Sequence, residues 1–597
     1  MSIYYKAPVR DLCFVIEELI GLQDYVGMEG VEELDAELVS AILEEAGRLA
    51  SEEWAPLNSS GDRQGCVLEN GQVKLPDGFI EAYKSFTEAG WNGINAPVEH
   101  GGQGLPEVIA SATQEIWHGA NMALALAPML SAGATELLAQ HGDTELQQRY
   151  LDKLVSGEWT GTMDLSEPQA GSDLGQVAAR ALPDETGDSY RLFGQKIFIT
   201  WGDHQAAENI IHLVLARTPD APAGHRGISL FLVPKFLVNA DGSLGERNAV
   251  FCDSLEHKVG IHASPTCTIR YGDNQGNGAV GYLVGELNRG LNHMFTMMNE
   301  ARHKVGVQGI GIGERVYQGA LAFARERVQG RRPGGKESVP ILGHPDVRRM
   351  LMTIRAQTEA MRALALVSAA YQDKALHASD SEERAAAQRR VDLFTPVVKA
   401  VASDWAVDSA SLGIQVHGGM GFVEELEAAQ LWRDVRIAPI YEGTNGIQAQ
   451  DFTLRKVLKD SGETLEAVLG EIEQVVAELR ADSVVSDLGA RLKEGVGTVR
   501  ESTRYLLENQ EDPFVSLSAA TPYMMQAGCL FGAWQLGRAA LVARAVIERG
   551  GDGDGFYTAK LHTARFYMRH ILPRVHAYTP AVCGGSDELE AIEERHW

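Results

Sequence analysis

The chain has 597 residues, of which 45% are hydrophobic and 22% charged, and a formal net charge of −28. That length is too great for one core and implies two to four domains. So acidic a balance argues against nucleic acid or an anionic membrane surface as a partner, and it fits a cytoplasmic location.

Taken in chain order, the first stretch "YYKAPVRDLCFVIEEL" carries Lys6, Arg10, Asp11, Glu17 and Glu18 among its apolar residues, so no signal peptide is expected. No run approaches ~18 uncharged apolar residues, so no membrane-spanning helix is expected either. Residues 1–158 read as helical: "VEELDAELVSAILEEAGRLASEEW" spaces its Leu, Val and Ile at helical intervals, and "GWNGINAPVEHGGQGLP" interrupts as a loop. Over 159–285 the period shortens. "YRLFGQKIFIT", "NIIHLVLART", "GISLFLVPKF" and "TCTIRYGD" are β-branched and roughly alternating, which predicts an antiparallel β domain. Residues 286–458 return to long helices, with Phe394, Val397, Val401 and Trp405 on one buried face. Residues 459–597 form a further helical segment, acidic on balance and broken by "GDGDGF".

Several motifs bear on chemistry. "GTMDLSEPQAGSDLG" (161–175) is rich in Gly, Ser, Pro and Asp and predicts a loop that presents N–H groups and hydroxyls to a polar ligand. Its glycines fit neither a dinucleotide fingerprint nor a P-loop. "KIFITWG" puts Thr200, Trp201 and Gly202 at a strand end, where they flank a flat ring or simply fill the core. "QVHGGMGF" (415–422) closes a long helix with two glycines, serving as a C-cap or as a close approach to a diphosphate. "RERVQGRR" gathers four arginines in an acidic chain, a solvated charge run or a pyrophosphate clamp. Six cysteines without a CxxC pair and histidines without paired spacing point to no metal and no disulfide framework. In "IAPIYEGTNGIQAQDF", Glu442 stands between an apolar run and a glycine turn. A carboxylate there is costly unless it has a task.

In this order, "MDLSEPQAGSD", "KIFITWG", "HKVGIHASPTC", "NEARHKVGVQGIG", "RERVQG", "QVHGGMGF" and "RDVRIAPIYEGTNGIQ" resemble the acyl-CoA dehydrogenase family from about residue 80 to 458. The length and helical tail resemble its larger subgroup, which includes 3-methylthiopropionyl-CoA dehydrogenases and some medium- or long-chain enzymes, so the resemblance leaves 3-methylthiopropionyl-CoA and a medium- or long-chain fatty acyl-CoA both open as substrate. The resemblance implies an α+β fold: an N-terminal helical domain (1–158), a middle antiparallel β domain (159–285), a C-terminal four-helix bundle with the catalytic loop (286–458) and an extra helical domain (459–597). It also implies FAD between the β domain and the bundle, shared across a homodimer or a dimer of dimers. Met163, Leu165 and Ser166 match positions lining the flavin ring, and Phe198, Ile199 and Thr200 match the stretch behind it. Ser172 matches a contact to the CoA moiety, and Asn299 and Arg302 match substrate-side positions, where aspartate is more usual than Asn299. Arg327, Gln329 and His344 match positions that hold a partner's FAD, Gln415, Val416, Gly418 and Gly419 match the diphosphate loop, and Gly443 and Thr444 follow the base and touch FAD. The chain departs from the family pattern in lacking a phenylalanine after "RVQ".

Desaturating an acyl thioester needs a base for the α-proton, donors for the enolate-like oxygen and a hydride acceptor. No side chain accepts a hydride, so FAD is the expected acceptor. In the family the donors are a backbone N–H at the base and a flavin ribityl hydroxyl. Glu442 fits the base, because a dry apolar site raises a carboxylate toward neutrality. Some relatives place the base at the position of Ala301, which cannot act; Glu300 beside it points about 100° away on a helix and is a weak alternative. The leading reading is a dehydrogenase that passes electrons to an electron-transfer flavoprotein in lipid metabolism. The rivals are an oxygen-using acyl-CoA oxidase, a non-catalytic nucleic-acid-binding homologue, which the acidic tail disfavours, and a structural partner with an inert flavin site, which Glu442 disfavours.

Overall fold

The computed structural model describes residues 5–25, 27–28, 34–185, 187–273, 275–332 and 334–597. It divides into two compact units, one of Met1–Arg48, Pro106–Gly119 and Arg302–Trp597, the other of Leu49–Leu105 and Ala120–Ala301. The N-terminal helices are α1 (Ala36–Leu49), α2 (Ala55–Gln64), α3 (Phe79–Glu88), α4 (Glu107–Ala120), α5 (Met122–His141) and α6 (Thr144–Ser156). Side-chain caps start α5 and α6: Asn121 Oδ1 accepts from Leu124 N at 3.1 Å and Asp143 Oδ1 from Leu146 N at 2.9 Å.

The second unit is built on an eight-stranded sheet of β1 (Trp159–Asp164), β2 (Arg180–Pro183), β3 (Tyr190–Thr200), β4 (Asn209–Ala216), β5 (Ser229–Pro234), β6 (Val250–Leu255), β7 (Thr266–Tyr271) and β8 (Ala279–Leu283). The spatial order is β6-β7-β3-β8-β5-β4-β1, with β2 also on β3. The expectation of a wholly antiparallel sheet is corrected at one edge: β1 runs parallel to β4, from Trp159 opposite Asn209 to Asp164 opposite Val214. A parallel pair needs a long crossover, and residues 165–208, which include β2 and β3, supply it. β4 and β5 are buried at every position, so their sequences read as apolar runs. β1 also takes in Gly161–Asp164, so the loop expected over 161–175 begins only at Leu165.

In the other unit the long helices are α7 (Gly290–Glu326, from Arg302 onward), α8 (Pro345–His377) and α9 (Ser381–His417). The short α10 (Glu427–Val435) and α11 (Asn445–Gln450) flank the loop that bears Glu442. The tail folds as α12 (Glu463–Ala481), α13 (Ser486–Glu508), α14 (Pro513–Glu548) and α15 (Phe556–His570). The face of α9 read from the sequence is indeed buried, with Phe394, Val397 and Val401 at 0% exposure. What covers it is the tail: Phe394 meets Phe531 edge-on at 5.5 Å, and Trp405 meets Tyr567 at 6.2 Å. Gly528 is small because a Cβ there would lie 2.5 Å from a Val401 methyl. Bundle and tail thus share one hydrophobic core.

The sequence reading of no spanning helix needs a correction. Met122–His141 and Pro513–Glu548 are both long and apolar enough to cross a membrane by length and composition. In the folded protein 83% and 61% of their most apolar windows are buried inside, which accounts for their apolarity as core helices.

Candidate active site

The loop between α10 and α11 owes its shape to positive backbone angles. Glu442 has φ +55° and Gly443 φ +81°. A non-glycine residue in the left-handed region costs about 1–3 kcal/mol and is held there only by its surroundings. The loop is closed by Asn445 N donating to Pro439 O at 3.0 Å, and Thr444 caps α11 by accepting from Ile447 N at 3.2 Å. At Gly443 a Cβ would stand 2.7 Å from Gln448 Nε2, so both the turn and the space require glycine.

Glu442 is half-buried, and the protein around it removes enough water to push its carboxyl up to about 7; Arg302 and Lys399 pull it back down. Arg302 is buried at 9% exposure and its own pKa is lowered by burial. Lys399 is fully buried and brought down to about 7, again chiefly by burial, with Glu442 and Asp404 opposing. A carboxylate poised near neutrality beside two cations is the electrostatic pattern of a general base. Before it, Tyr441 Oη donates to Gln308 Oε1 and anchors the loop to α7.

A second group of predicted residues lies on the β unit. Met163, Ser166 and Thr200 are half-buried, Leu165 and Ile199 are buried, and Ser172 is exposed. Three hydrogen bonds join the end of β1 to β3: Thr162 Oγ1 to Thr200 O at 3.0 Å, Ile197 N to Ser166 O at 2.9 Å and Lys196 Nζ to Leu165 O at 2.9 Å. Opposite β7, Cys267 faces Ile199 but Ile269 faces Lys196, so β3 carries one extra residue. That bulge puts Phe198 at φ +60°, and the residue is 61% exposed. Trp201 is core rather than the flank of a ring: it is 1% exposed and its Nε1 donates to Ala123 O at 3.1 Å.

Sequence reasoning missed Glu167 and Lys196. Lys196 Nζ donates to Glu167 Oε1 at 2.7 Å, and the Glu167 carboxylate also accepts from Ala178 N and Ala179 N at 2.8 and 3.0 Å. This ion pair anchors the Ser-Glu-Pro loop to β3. The signal was present as an acid in one motif and a base in the next, but nothing local pairs them.

The remaining predicted residues fall into smaller groups. Arg327, Gln329 and His344 come together at the surface, with His344 Nε2 2.7 Å from Gln329 O and Arg327 Nη2 3.5 Å from Gln329 Oε1. Gln415 is exposed and Val416 buried at the end of α9. Gly418, at φ +60°, and Gly419 are exposed, with open space where a Cβ would stand. Asn299 is exposed on α7. Glu300 groups with the β unit, where its Oε2 would lie 2.8 Å from a Cβ on Gly133 of α5.

Four family models match in succession: the acyl-CoA dehydrogenase N-terminal domain over 37–158, the middle domain over 162–273, the C-terminal domain over 288–455, and an acetyl-CoA dehydrogenase C-terminal-like domain over 458–593. The chain is 45% identical over 589 residues to a 3-methylmercaptopropionyl-CoA dehydrogenase of Ruegeria pomeroyi, covering 98% of this chain and 99% of that one.

The chain belongs to the acyl-CoA dehydrogenase family.

This is a family of FAD-dependent oxidoreductases. The chain is also 36% identical to a broad-specificity linear acyl-CoA dehydrogenase of Mycobacterium tuberculosis, with 96% of each covered, and 35% identical to a butyryl-CoA dehydrogenase of Syntrophomonas wolfei, with 96% and 95% covered. Among solved structures, an acyl-CoA dehydrogenase complexed with FAD from Bacillus anthracis aligns at TM-score 0.73 and 21% identity, over 99% of this chain and 93% of that one. Caenorhabditis elegans ACDH-11 in complex with C11-CoA aligns at 0.74 and 19%, over 98% and 96%. Both show the same fold, tail included.

Proposed function

We propose that this acyl-CoA dehydrogenase removes the α-proton of a short acyl-CoA thioester with Glu442 and releases the trans-2-enoyl-CoA. The observation that carries the reading is Glu442 itself: a carboxylate in a strained left-handed turn, pushed by burial to about 7 and flanked by Arg302 and Lys399. A carboxylate of ordinary pKa is too weak a base at neutral pH, whereas one near 7 is both ionised and basic.

The residues present fit FAD. Half-buried Met163, Ser166 and Thr200, joined by the hydrogen bonds between β1 and β3, offer a hydroxyl-rich face to a flat polar ring. Gly418 and Gly419 offer uncovered backbone to a diphosphate, and Arg327 offers a guanidinium to the charge of a partner subunit's cofactor. Met163, Ser166 and Thr200, with Phe198 and Ile199, would line the flavin ring; Gly418 and Gly419, with Gln415 and Val416, would meet a diphosphate; Thr444 would touch FAD beside the base; and Arg327, Gln329 and His344 would hold a partner's cofactor. When bound, FAD supplies the hydride acceptor that no side chain provides. Glu442 then holds the proton taken from Cα, Arg302 keeps the carboxylate ionised before transfer, and Ser172 meets the CoA moiety.

Full-length similarity to the Ruegeria pomeroyi enzyme supports 3-methylthiopropionyl-CoA as the substrate. An electron-transfer flavoprotein as acceptor, a homodimer and a cytoplasmic location complete the proposal. Anaerobic flavin bleaching with 3-methylthiopropionyl-, butanoyl-, octanoyl- and palmitoyl-CoA tests it. Fastest bleaching by the methylthio thioester is expected, and faster bleaching by palmitoyl-CoA overturns the substrate. Hydrogen peroxide formed at turnover rate in air would make the protein an oxidase instead.

A further inference from the structure

Lys399 has so far figured only as a charge near Glu442. It lies in the middle of α9, between the buried Val398 and Ala400, and is itself 0% exposed. Burying an ammonium costs several kcal/mol unless something in the fold uses its charge. Its Nζ donates to Asn445 Oδ1 at 2.9 Å. The rest of the Asn445 amide is consumed by the same stretch of α9: Nδ2 is aimed at Ala400 O at 3.1 Å, Ser403 Oγ at 3.0 Å and Asp404 Oδ1 at 2.8 Å, and Ser403 Oγ reaches Oδ1 at 3.3 Å. Asn445 N in turn closes the loop onto Pro439 O. Glu442 lies inside that closed loop, so the segment from Pro439 to Asn445 is fastened at one residue to residues 399–404 of α9.

A neutral donor could make the bond to Asn445 without the cost of a buried cation. What it could not do is act on Glu442. Lys399 sits in the field of two acids, Glu442 and Asp404, and of one opposing cation, Arg302. Arg302 in turn feels Asp451, Arg455 and Glu442, and Asp404 feels Asp408 and Arg436. Of these groups, only Arg302 and Lys399 act to hold Glu442 ionised.

We propose that Lys399 is a positioning residue for proton abstraction: through Asn445 it fastens the Glu442 loop to α9, and in its ammonium form it favours the ionised Glu442 carboxylate. The inference rests on Glu442 being the base. Desolvation pushes the Glu442 carboxyl up and two cations hold it down, so removing one cation leaves Arg302 alone against the same desolvation. The pKa of Glu442 therefore rises, and the fraction of enzyme carrying the active carboxylate at a given acidic pH falls.

The test is the pH profile of kcat/KM for FAD-loaded enzyme with its best acyl-CoA. Lys399→Met removes charge and hydrogen bond together. Lys399→Gln removes the charge, keeps a donor for Asn445, and is the variant to read if Lys399→Met does not fold. Asn445→Asp leaves the lysine in place and cancels its field with a carboxylate. In each variant the acid limb should move up by about one pH unit, a roughly tenfold loss well below the limb that closes as pH rises. A merely structural role would lower the rate equally at every pH and leave the limb where it is, and that result in any folded variant overturns the proposal. Glu442→Gln separates the two levels. If it retains turnover, the base assignment has failed; if it is inactive while the Lys399 limb stays put, only the role of Lys399 has failed.

Discussion

Lys196 Nζ lies 2.7 Å from Glu167 Oε1, and both side chains are sealed from solvent, at 0% and 4% exposure. The pair joins two motifs 29 residues apart in the chain and holds the loop that carries Ser166. Breaking a buried pair from one side strands the other charge at a cost of about 3–5 kcal/mol. Glu167→Gln is therefore expected to lower the denaturation midpoint markedly and to weaken flavin retention. The Glu167→Gln, Lys196→Met double variant should recover part of the loss, and urea unfolding followed by tryptophan fluorescence measures both.

Glu442→Gln keeps size and hydrogen-bonding capacity but cannot take a proton. Removing a general base commonly costs 10²–10⁴-fold, so the rate of anaerobic flavin bleaching by acyl-CoA should fall by at least about 100-fold. The flavin content of the purified protein should be unchanged. Bleaching at the wild-type rate would place the base elsewhere.

The acid limb of wild-type kcat/KM should fall near pH 7, where burial places the Glu442 carboxyl, with rate rising as pH increases. Stability follows the opposite sign. A carboxyl raised in the folded state contributes stability that is fully present below its unfolded value, near 4.5, and is lost as pH rises through about 7. Glu442→Gln should accordingly raise Tm relative to wild type at pH 8 and make little difference at pH 4.5. Thermal unfolding across pH reads the crossover.

Phe531 on α14 is buried against Phe394 of α9. Truncating a buried phenylalanine costs about 3–5 kcal/mol. Because bundle and tail share one core, Phe531→Ala should unfold them together in a single earlier transition. Two separated transitions, with the bundle at its wild-type midpoint, would show that the tail is an independent domain.

The readable parts of this protein were those with local causes. Helical spacing exposed the apolar face of α9; that the tail covers it is decided by the packing of Phe394 on Phe531 and of Trp405 on Tyr567. The change to β-branched, alternating segments marked the sheet, while the parallel β1–β4 pair stayed hidden because register belongs to strands 50 residues apart. Phe198 was legible as a residue of "KIFIT"; the bulge that leaves it exposed appears only once β7 is laid beside β3. Apolar composition over Met122–His141 was equally silent on whether protein or lipid surrounds it.

By itself the sequence determined the order of the motifs and the family they belong to, and through that resemblance it singled out Glu442 as the candidate base, an acid set between an apolar run and a glycine turn. Only the tertiary structure decided what holds that acid and what charges face it. Lys399 and Asn445 are 46 residues apart, Arg302 comes from yet another helix, and the field at a carboxylate depends on distance in space and on water excluded by packing. Neither quantity is written in the spacing of residues along a chain.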